Sequence, residues 1–100
     1  MRIDWSPESI FDLAELRSYI TQDNPEVAHR VALAVVAAIE LRLTDNPEYG
    51  RPGRVPGTRE LVIPNTPVIV PYRIRDRVLE ILRVYHHARR WPDHFDGSVT

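Results

Sequence analysis

The sequence contains no cysteine, no lysine and no apolar run long enough to cross a bilayer. The lack of cysteine excludes a disulfide framework and any metal site built on thiolates. A transmembrane helix would require roughly 20 consecutive apolar residues, and no segment approaches that length. Asp4 and Glu8 interrupt the N-terminal segment before an apolar run can begin. We therefore expect no signal peptide, no membrane association and a cytoplasmic location.

The composition is that of an ordinary soluble domain, but the charges are unevenly distributed. A chain of 100 residues predicts a single domain spanning residues 1–100. Residues 1–50 contain four arginines against nine acidic residues, a balance of −5, whereas residues 51–100 contain nine arginines against five, a balance of +4. Arginine is suited to bidentate contacts with phosphates and carboxylates. The second half of the chain is therefore the part expected to meet an anionic partner.

The first half predicts a short strand followed by two helices. Residues 1–5 alternate apolar and polar side chains, which is typical of a half-buried strand. Ser6-Pro7-Glu8 and Asn24-Pro25-Glu26 are both helix-start signals, in which a polar side chain caps the backbone and proline follows. The second helix should end near Asp45, because Asn46-Pro47 cannot continue it. The first helix carries an apolar stripe that we assign to the core: Ile10, Leu13, Leu16 and Ile20.

The second half predicts a loop and three strands. Residues 46–58 are rich in glycine and proline and predict a loop. Apolar runs at 59–63, 68–75 and 78–87 are separated by linkers too short for parallel crossovers, so neighbouring strands should be antiparallel. Pro71 predicts a bulge or an unpaired position in the middle strand. The predicted fold is α+β: a short N-terminal strand, then an antiparallel helix hairpin packed on a small sheet whose last three strands form an antiparallel meander (β-α-α-β-β-β).

The last strand predicts a functional surface at its C-terminal end. One face of this strand presents Val84 and His86, and the other presents Arg83, Tyr85 and His87. Together with Arg73, the second group would form an open, concave basic surface. Arg83→Ala, or Arg89→Ala together with Arg90→Ala, should therefore remove activity while changing the free energy of unfolding by less than about 1 kcal/mol, as is usual at surface positions.

The segment ILRVYHHARRWP, residues 81–92, allows more than one chemistry. A metal site is disfavoured, because His86 and His87 are adjacent in a strand and point to opposite faces. Nucleophilic catalysis lacks a suitable cysteine or serine motif. Metal-free RNA cleavage needs an acid, a base and cations, which histidine and arginine supply without any cofactor. Pure binding through arginines and Trp91 is the other possibility.

The segments NPEYGRPGRVPGTREL, VPYRI and VLEILRVYHHARRWP, in this order and spacing, resemble the RelE/ParE toxins of bacterial type II toxin–antitoxin systems. The resemblance covers essentially the whole chain. It implies a toxin neutralised by a cognate antitoxin, either ParD-like or another ribbon-helix-helix or acidic protein, in a hetero-oligomer. A non-toxic nucleic-acid-binding domain is the alternative outside this family.

The resemblance implies two possible targets. ParE-like members inhibit DNA gyrase, whereas RelE-like members cut mRNA on the ribosome, so whether this chain is an enzyme stays open. Only in the second case would His86 and His87 be catalytic. Ile69 occupies a position where the nucleases commonly carry arginine, which favours gyrase inhibition. The residues expected to bind the target or a phosphate are Arg51, Arg54, Arg59, Arg73, Arg83, Tyr85, Arg89, Arg90 and Trp91.

Overall fold

The computed structural model describes residues 1–86, in which two helices pack on one face of a six-stranded sheet. The helices are α1 (Pro7–Thr21) and α2 (Pro25–Ala38). The strands are β1 (Arg2–Trp5), β2 (Arg51–Pro52), β3 (Arg59–Val62), β4 (Val68–Arg75), β5 (Val78–Ile81) and β6 (Tyr85–His86). This arrangement confirms the predicted α+β class. None of the helices within residues 1–86 has the length and apolar character needed to span a membrane.

Both helices begin where the sequence predicts. The Ser6 hydroxyl accepts a hydrogen bond from the Ser9 amide at 2.9 Å, and Pro7 occupies the first turn of α1. The Asn24 side-chain oxygen accepts from the amides of Glu26 and Val27 at 3.1 and 3.2 Å. Such caps satisfy backbone donors that the helix itself leaves unpaired, and each contributes about 1 kcal/mol.

The second helix changes its winding before it ends. A π-helical segment, Ile39–Leu43, follows α2, and helical backbone continues to Asp45 as predicted. Val35, Ile39 and Leu43 are all fully buried although they are four residues apart. In an α-helix that spacing rotates successive side chains by roughly 40°. The wider π turn offsets this rotation and keeps Leu43 against the core.

The sheet order is β1-β5-β4-β3-β2, and β6 also pairs with β4. The pairing of β1 with β5 is parallel, with Ile3 opposite Leu79, and the other pairs are antiparallel. The predicted meander of the last three strands is therefore confirmed. β5 lies between β1 and β4, which agrees with its apolar residues on both faces.

The last predicted strand contains a β-bulge. Tyr72 of β4 lies opposite Ile81, whereas Ile69 lies opposite Tyr85. Three steps along β4 therefore correspond to four steps along the partner, and one extra residue lies within 82–84. The prediction of an uninterrupted strand is wrong at this point, because the bulge reverses the alternation. Val84 joins the core on the same side as Ile81, and Tyr85 lies on the opposite face.

Pro71 lies opposite Glu60 in a regular part of β4, so the bulge occurs on the neighbouring strand instead. The Pro71 carbonyl accepts a hydrogen bond from the Leu82 amide at 3.0 Å. In a regular pair the Leu82 carbonyl would accept a bond in return, but proline has no N–H to donate. The Ser6 hydroxyl donates to this carbonyl instead, at 2.8 Å. Ser6 thus caps α1 and supplies the hydrogen bond that Pro71 cannot.

These two roles predict a large effect of Ser6→Ala. The variant loses a helix cap and leaves the buried Leu82 carbonyl without its side-chain donor, so the free energy of unfolding should fall by about 2–3 kcal/mol. Asn24→Ala is the matched control, since it removes an exposed cap alone and should cost about 1 kcal/mol. Urea denaturation of both variants measures the difference. Equal losses would contradict the second role of Ser6.

Candidate functional site

The structure describes only part of the predicted C-terminal site. His87, Arg89, Arg90 and Trp91 lie outside the described residues. His86 is half-buried and lies opposite Val68 in the short pairing of β6 with β4. Within residues 1–86, no three His, Asp or Glu side chains lie close enough together to hold a metal ion.

Arg83 is not part of an open basic surface. Its Nε and Nη2 atoms donate to the two carboxylate oxygens of Asp12 at 2.6 and 2.8 Å. The Asp12 side chain is 1% exposed and the Arg83 side chain 28%. The hydrogen bond from Arg83 to Asp12 raises the pKa of Arg83 above its ordinary value. Truncating one member of a buried ion pair costs on the order of 3–5 kcal/mol, so at Arg83 we expect a loss of this size in place of the near-neutral change that an open position predicts.

Arg73 is also engaged in an ion pair. It lies on the outer sheet face, defined as the face turned away from the helices, together with Ile69 and Tyr85. Its Nε donates to Glu80 at 2.7 Å, and Arg75 binds the other oxygen of the same carboxylate at 3.2 Å. The Nη2 atom of Arg73 is buried, and no described residue accepts a hydrogen bond from it. Arg73 therefore lies on the predicted face but is not open.

Two further predicted cations bind the carboxylate of Glu60 on β3. Arg51 donates through Nη2 to one oxygen at 3.0 Å, and Arg54 donates through its backbone amide to the other at 2.8 Å. The Glu60 side chain is only 3% exposed, whereas the two arginine side chains are about half exposed. Burial alone would raise the pKa of Glu60, but the hydrogen bonds from Arg54 and Arg51 outweigh it and hold the pKa below its ordinary value. Glu60 thus holds Arg51 and Arg54 in place, while about half of each arginine side chain stays exposed.

The loop of residues 46–58 is anchored to the sheet by Arg59 and Tyr72. Arg59 donates to the Gly50 carbonyl at 2.9 Å and binds the Glu48 carboxylate at 3.3 Å. The Tyr72 hydroxyl donates to the Pro47 carbonyl and accepts from the Gly50 amide, both at 2.8 Å. A Cβ atom at position 50 would lie 2.6 Å from the Tyr72 hydroxyl, so the contact requires glycine. Burial raises the pKa of Tyr72, which keeps the hydroxyl protonated as a donor.

An apolar groove between α1 and α2 is a second candidate site. It has a volume of about 380 Å³ and is lined by Ile10, Leu13, Ala14, Arg17, His29, Ala32, Leu33 and Val36. Ile10 and Leu33 are each more than half exposed. An exposed apolar groove with a few polar side chains is suited to bind a partner.

The groove corrects one predicted core position. Leu16 belongs to the core cluster, and Leu13 and Ile20 pack against it, but Ile10 is exposed and lines the groove. The helical geometry already contains this signal, because Ile10 lies about 120° around the helix from Leu16. Leu33, on α2, was not identified from the sequence at all.

The family model and the relatives that match this sequence are all described as toxins. A family model described as the ParE toxin of the type II toxin–antitoxin system parDE matches residues 3–91. A protein of Sinorhizobium fredii, provisionally named toxin Y4kP, is 43% identical over 91 residues, which are 91% of this chain and 93% of that protein. Toxin RelE2 of Caulobacter vibrioides is 32% identical over 88 residues, 88% of this chain and 97% of that protein.

A solved structure is similar in both sequence and fold. It is a chain of the chromosomal ParDE toxin–antitoxin system from P. aeruginosa, with a TM-score of 0.75 and 28% sequence identity. The similarity covers 86% of this chain and 95% of that chain. The two chains therefore share a fold over most of their length.

The Glu60 carboxylate should make stability depend on acidity. Because the folded state lowers its pKa below the ordinary value of 4.5, its contribution is fully present above that pH and is lost as the pH falls through the lowered pKa. Glu60→Gln should therefore be less stable near pH 7 and lose less stability on going to about pH 3. Urea denaturation across this range measures both effects.

Glu48→Gln provides the control for this titration. Glu48 also binds an arginine, but its side chain is 74% exposed. Exposed ion pairs contribute little, so this variant should keep the acid dependence of the wild type. If Glu60→Gln instead loses stability with acid as steeply as the wild type, another group is responsible.

Proposed function

The chain belongs to the ParE toxin family of type II toxin–antitoxin systems, and on that premise we propose that it arrests growth by inhibiting DNA gyrase. Because the family is one of toxins, its match argues against the alternative of a non-toxic nucleic-acid-binding domain. A cognate antitoxin binds the chain and neutralises it. Gyrase is the target, and the C-terminal end of the last strand, together with the half-exposed Arg51 and Arg54, forms the surface that binds it.

The pairing of the predicted cations supports gyrase inhibition over RNA cleavage. Each of the predicted arginines within residues 1–86 binds a carboxylate: Arg51 and Arg54 bind Glu60, Arg59 binds Glu48, Arg73 binds Glu80, and Arg83 binds Asp12. A metal-free ribonuclease needs cations whose charge is directed at the phosphate in the transition state. A guanidinium already matched by a neighbouring carboxylate stabilises that charge less. Ile69, which lies on the same face, adds no cation.

The nuclease alternative rests on the histidine pair. His86 lies at the end of the last strand, next to Tyr85 and followed by His87. Histidine is the side chain best suited to proton transfer near neutral pH. One relative, moreover, is named RelE2. The alternative function is ribosome-dependent cleavage of mRNA without a metal ion.

Replacing both histidines distinguishes the two functions. If they transfer protons in a nuclease, His86→Gln with His87→Gln should abolish growth arrest, since such catalysis contributes about 10²–10⁴-fold to the rate. In a gyrase inhibitor the same change weakens an interface, and growth arrest should survive overexpression. The readouts, shortly after induction, are new mRNA 5′ ends, plasmid supercoiling and the DNA-damage response. Codon-phased mRNA cuts that vanish in the double variant would overturn gyrase inhibition, whereas altered supercoiling with intact mRNA supports it.

The groove between α1 and α2 is the proposed binding site of the antitoxin. Its lining is apolar except for Arg17 and His29, which suits an amphipathic helix that carries an acidic side chain opposite these two residues. Antitoxin segments that fold on binding can occupy such a groove without a preformed structure of their own. The similar solved structure comes from a ParDE system, which supports an antitoxin of the ParD type.

A charge placed in the groove should separate toxicity from neutralisation. Leu33→Glu puts a carboxylate into the apolar site, so the variant should stay toxic even when the antitoxin is co-expressed. Leu41→Glu is the matched control, because Leu41 is 70% exposed and does not line the groove. Growth of cells carrying each pair of genes, with co-purification of the two proteins, measures the difference. Full neutralisation of Leu33→Glu would place the antitoxin elsewhere.

A further inference from the structure

The bulge lies between β5 and β6, the two parts of the last strand, and one residue in it can be identified as the inserted one. Leu82 lies opposite Pro71 and Tyr85 lies opposite Ile69, so two residues occupy the place of one between them. Val84 faces the core, as a residue opposite Val70 would in a regular strand. Arg83 is therefore the inserted residue. Without it, Val84 and Tyr85 would follow Leu82 in regular alternation on the faces that they occupy now.

The carboxylate of Asp12 holds this inserted residue. It accepts two hydrogen bonds from the Arg83 guanidinium and a third from the Val84 amide at 3.1 Å. A bulge removes a backbone group from the ladder, and a buried amide without a partner is costly. Asp12 thus binds both the side chain of the extra residue and the backbone next to it, across 71 and 72 residues of sequence.

The guanidinium of Arg83, which Asp12 binds, also contacts Tyr85. The Arg83 Cζ atom lies 5.0 Å from the centre of the Tyr85 ring, which is within the range of a cation–π contact. Tyr85 and His86 together form β6, a pairing of only two residues with β4. Such a short strand offers few backbone hydrogen bonds, so its position is sensitive to the residues that precede it.

We propose that Asp12 is a positioning residue: by holding Arg83 in the bulge, it fixes Tyr85 opposite Ile69 and so presents the C-terminal end of the strand to the toxin's target. This rests on the proposed function, in which that end is the target-binding surface. Arg83 then acts through the position of Tyr85 and not by contact with the target. The Asp12 side chain itself is buried, so it acts on this surface only through the residues that it binds.

The consequence is that Asp12 is needed only because Arg83 is present. Asp12→Asn removes the charge that binds the guanidinium, so the nuclear Overhauser contacts between Ile69 and the Tyr85 ring should disappear and growth arrest should be lost. Asp12→Asn combined with deletion of Arg83 restores a regular strand, and both the contacts and growth arrest should return. Asp4→Asn, the same change in an exposed ion pair on β1, is the control and should leave both unchanged.

The measurements are two-dimensional NMR of the full-length labelled chain, growth arrest after induction, and affinity for the antitoxin. Antitoxin affinity should stay unchanged, because the groove is lined by other residues of α1. If Asp12→Asn keeps the contacts between Ile69 and Tyr85, the proposal is wrong. If Asp12→Asn does not fold, the combined variant decides: restored contacts with growth arrest support the proposal, and restored contacts without growth arrest show that Arg83 touches the target directly and overturn it. Growth arrest reports on any target, so absence of gyrase inhibition would refute the proposed function alone.

Discussion

A single buried carboxylate joins the helical layer of this fold to the end of its sheet. Asp12 projects from α1 and binds the side chain of Arg83 and the backbone of Val84, while Ser6 at the start of the same helix binds the Leu82 carbonyl. Burying a charged pair carries a desolvation cost that well-packed apolar residues would avoid. Its presence here is explained by geometry, since an apolar pair could not also accept a hydrogen bond from the bulged backbone. The N-terminal turns of α1 thus hold residues 82–84, which immediately precede β6.

The uneven charge of the sequence acquires a structural meaning in the fold. The acidic first half supplies Asp12 and Glu48, and the basic second half supplies the arginines that they bind. Glu60 and Glu80 each bind two further arginines. Some of the opposite charges of the two halves therefore form ion pairs within the molecule, and these ion pairs hold the loop of residues 46–58 and the bulge in place. The arginines of these pairs are matched by carboxylates, and charges arranged in this way favour specific recognition of a protein over general attraction to nucleic acid.

Features encoded by neighbouring residues could be predicted from the sequence, and features encoded by distant residues could not. The starts of both helices follow from a polar cap and a proline, and β4 has the predicted limits of 68 and 75. Alternation along residues 78–87 gave no sign of a bulge, because the partners of the extra residue lie on α1. For the same reason the candidate arginines were identified as residue types but not as members of ion pairs. The groove depends on how α1 and α2 pack against each other, which the sequence does not reveal. The helical angle between Ile10 and Leu16 nevertheless indicates that these two side chains face different directions.

The parallel pairing of β1 with β5 means that the first strand of the chain can pair only after most of the chain has been synthesised. Synthesis proceeds from the N-terminus, so β1, α1 and α2 exist before any strand that could cover them. Ser6 and Asp12 obtain their partners only when residues 82–84 have been added. Contacts between such distant parts of a chain also form slowly, because a long loop must close first. A nascent chain therefore has its helix hairpin, with the groove proposed to bind the antitoxin, before residues 82–86 of the proposed target-binding end have been synthesised.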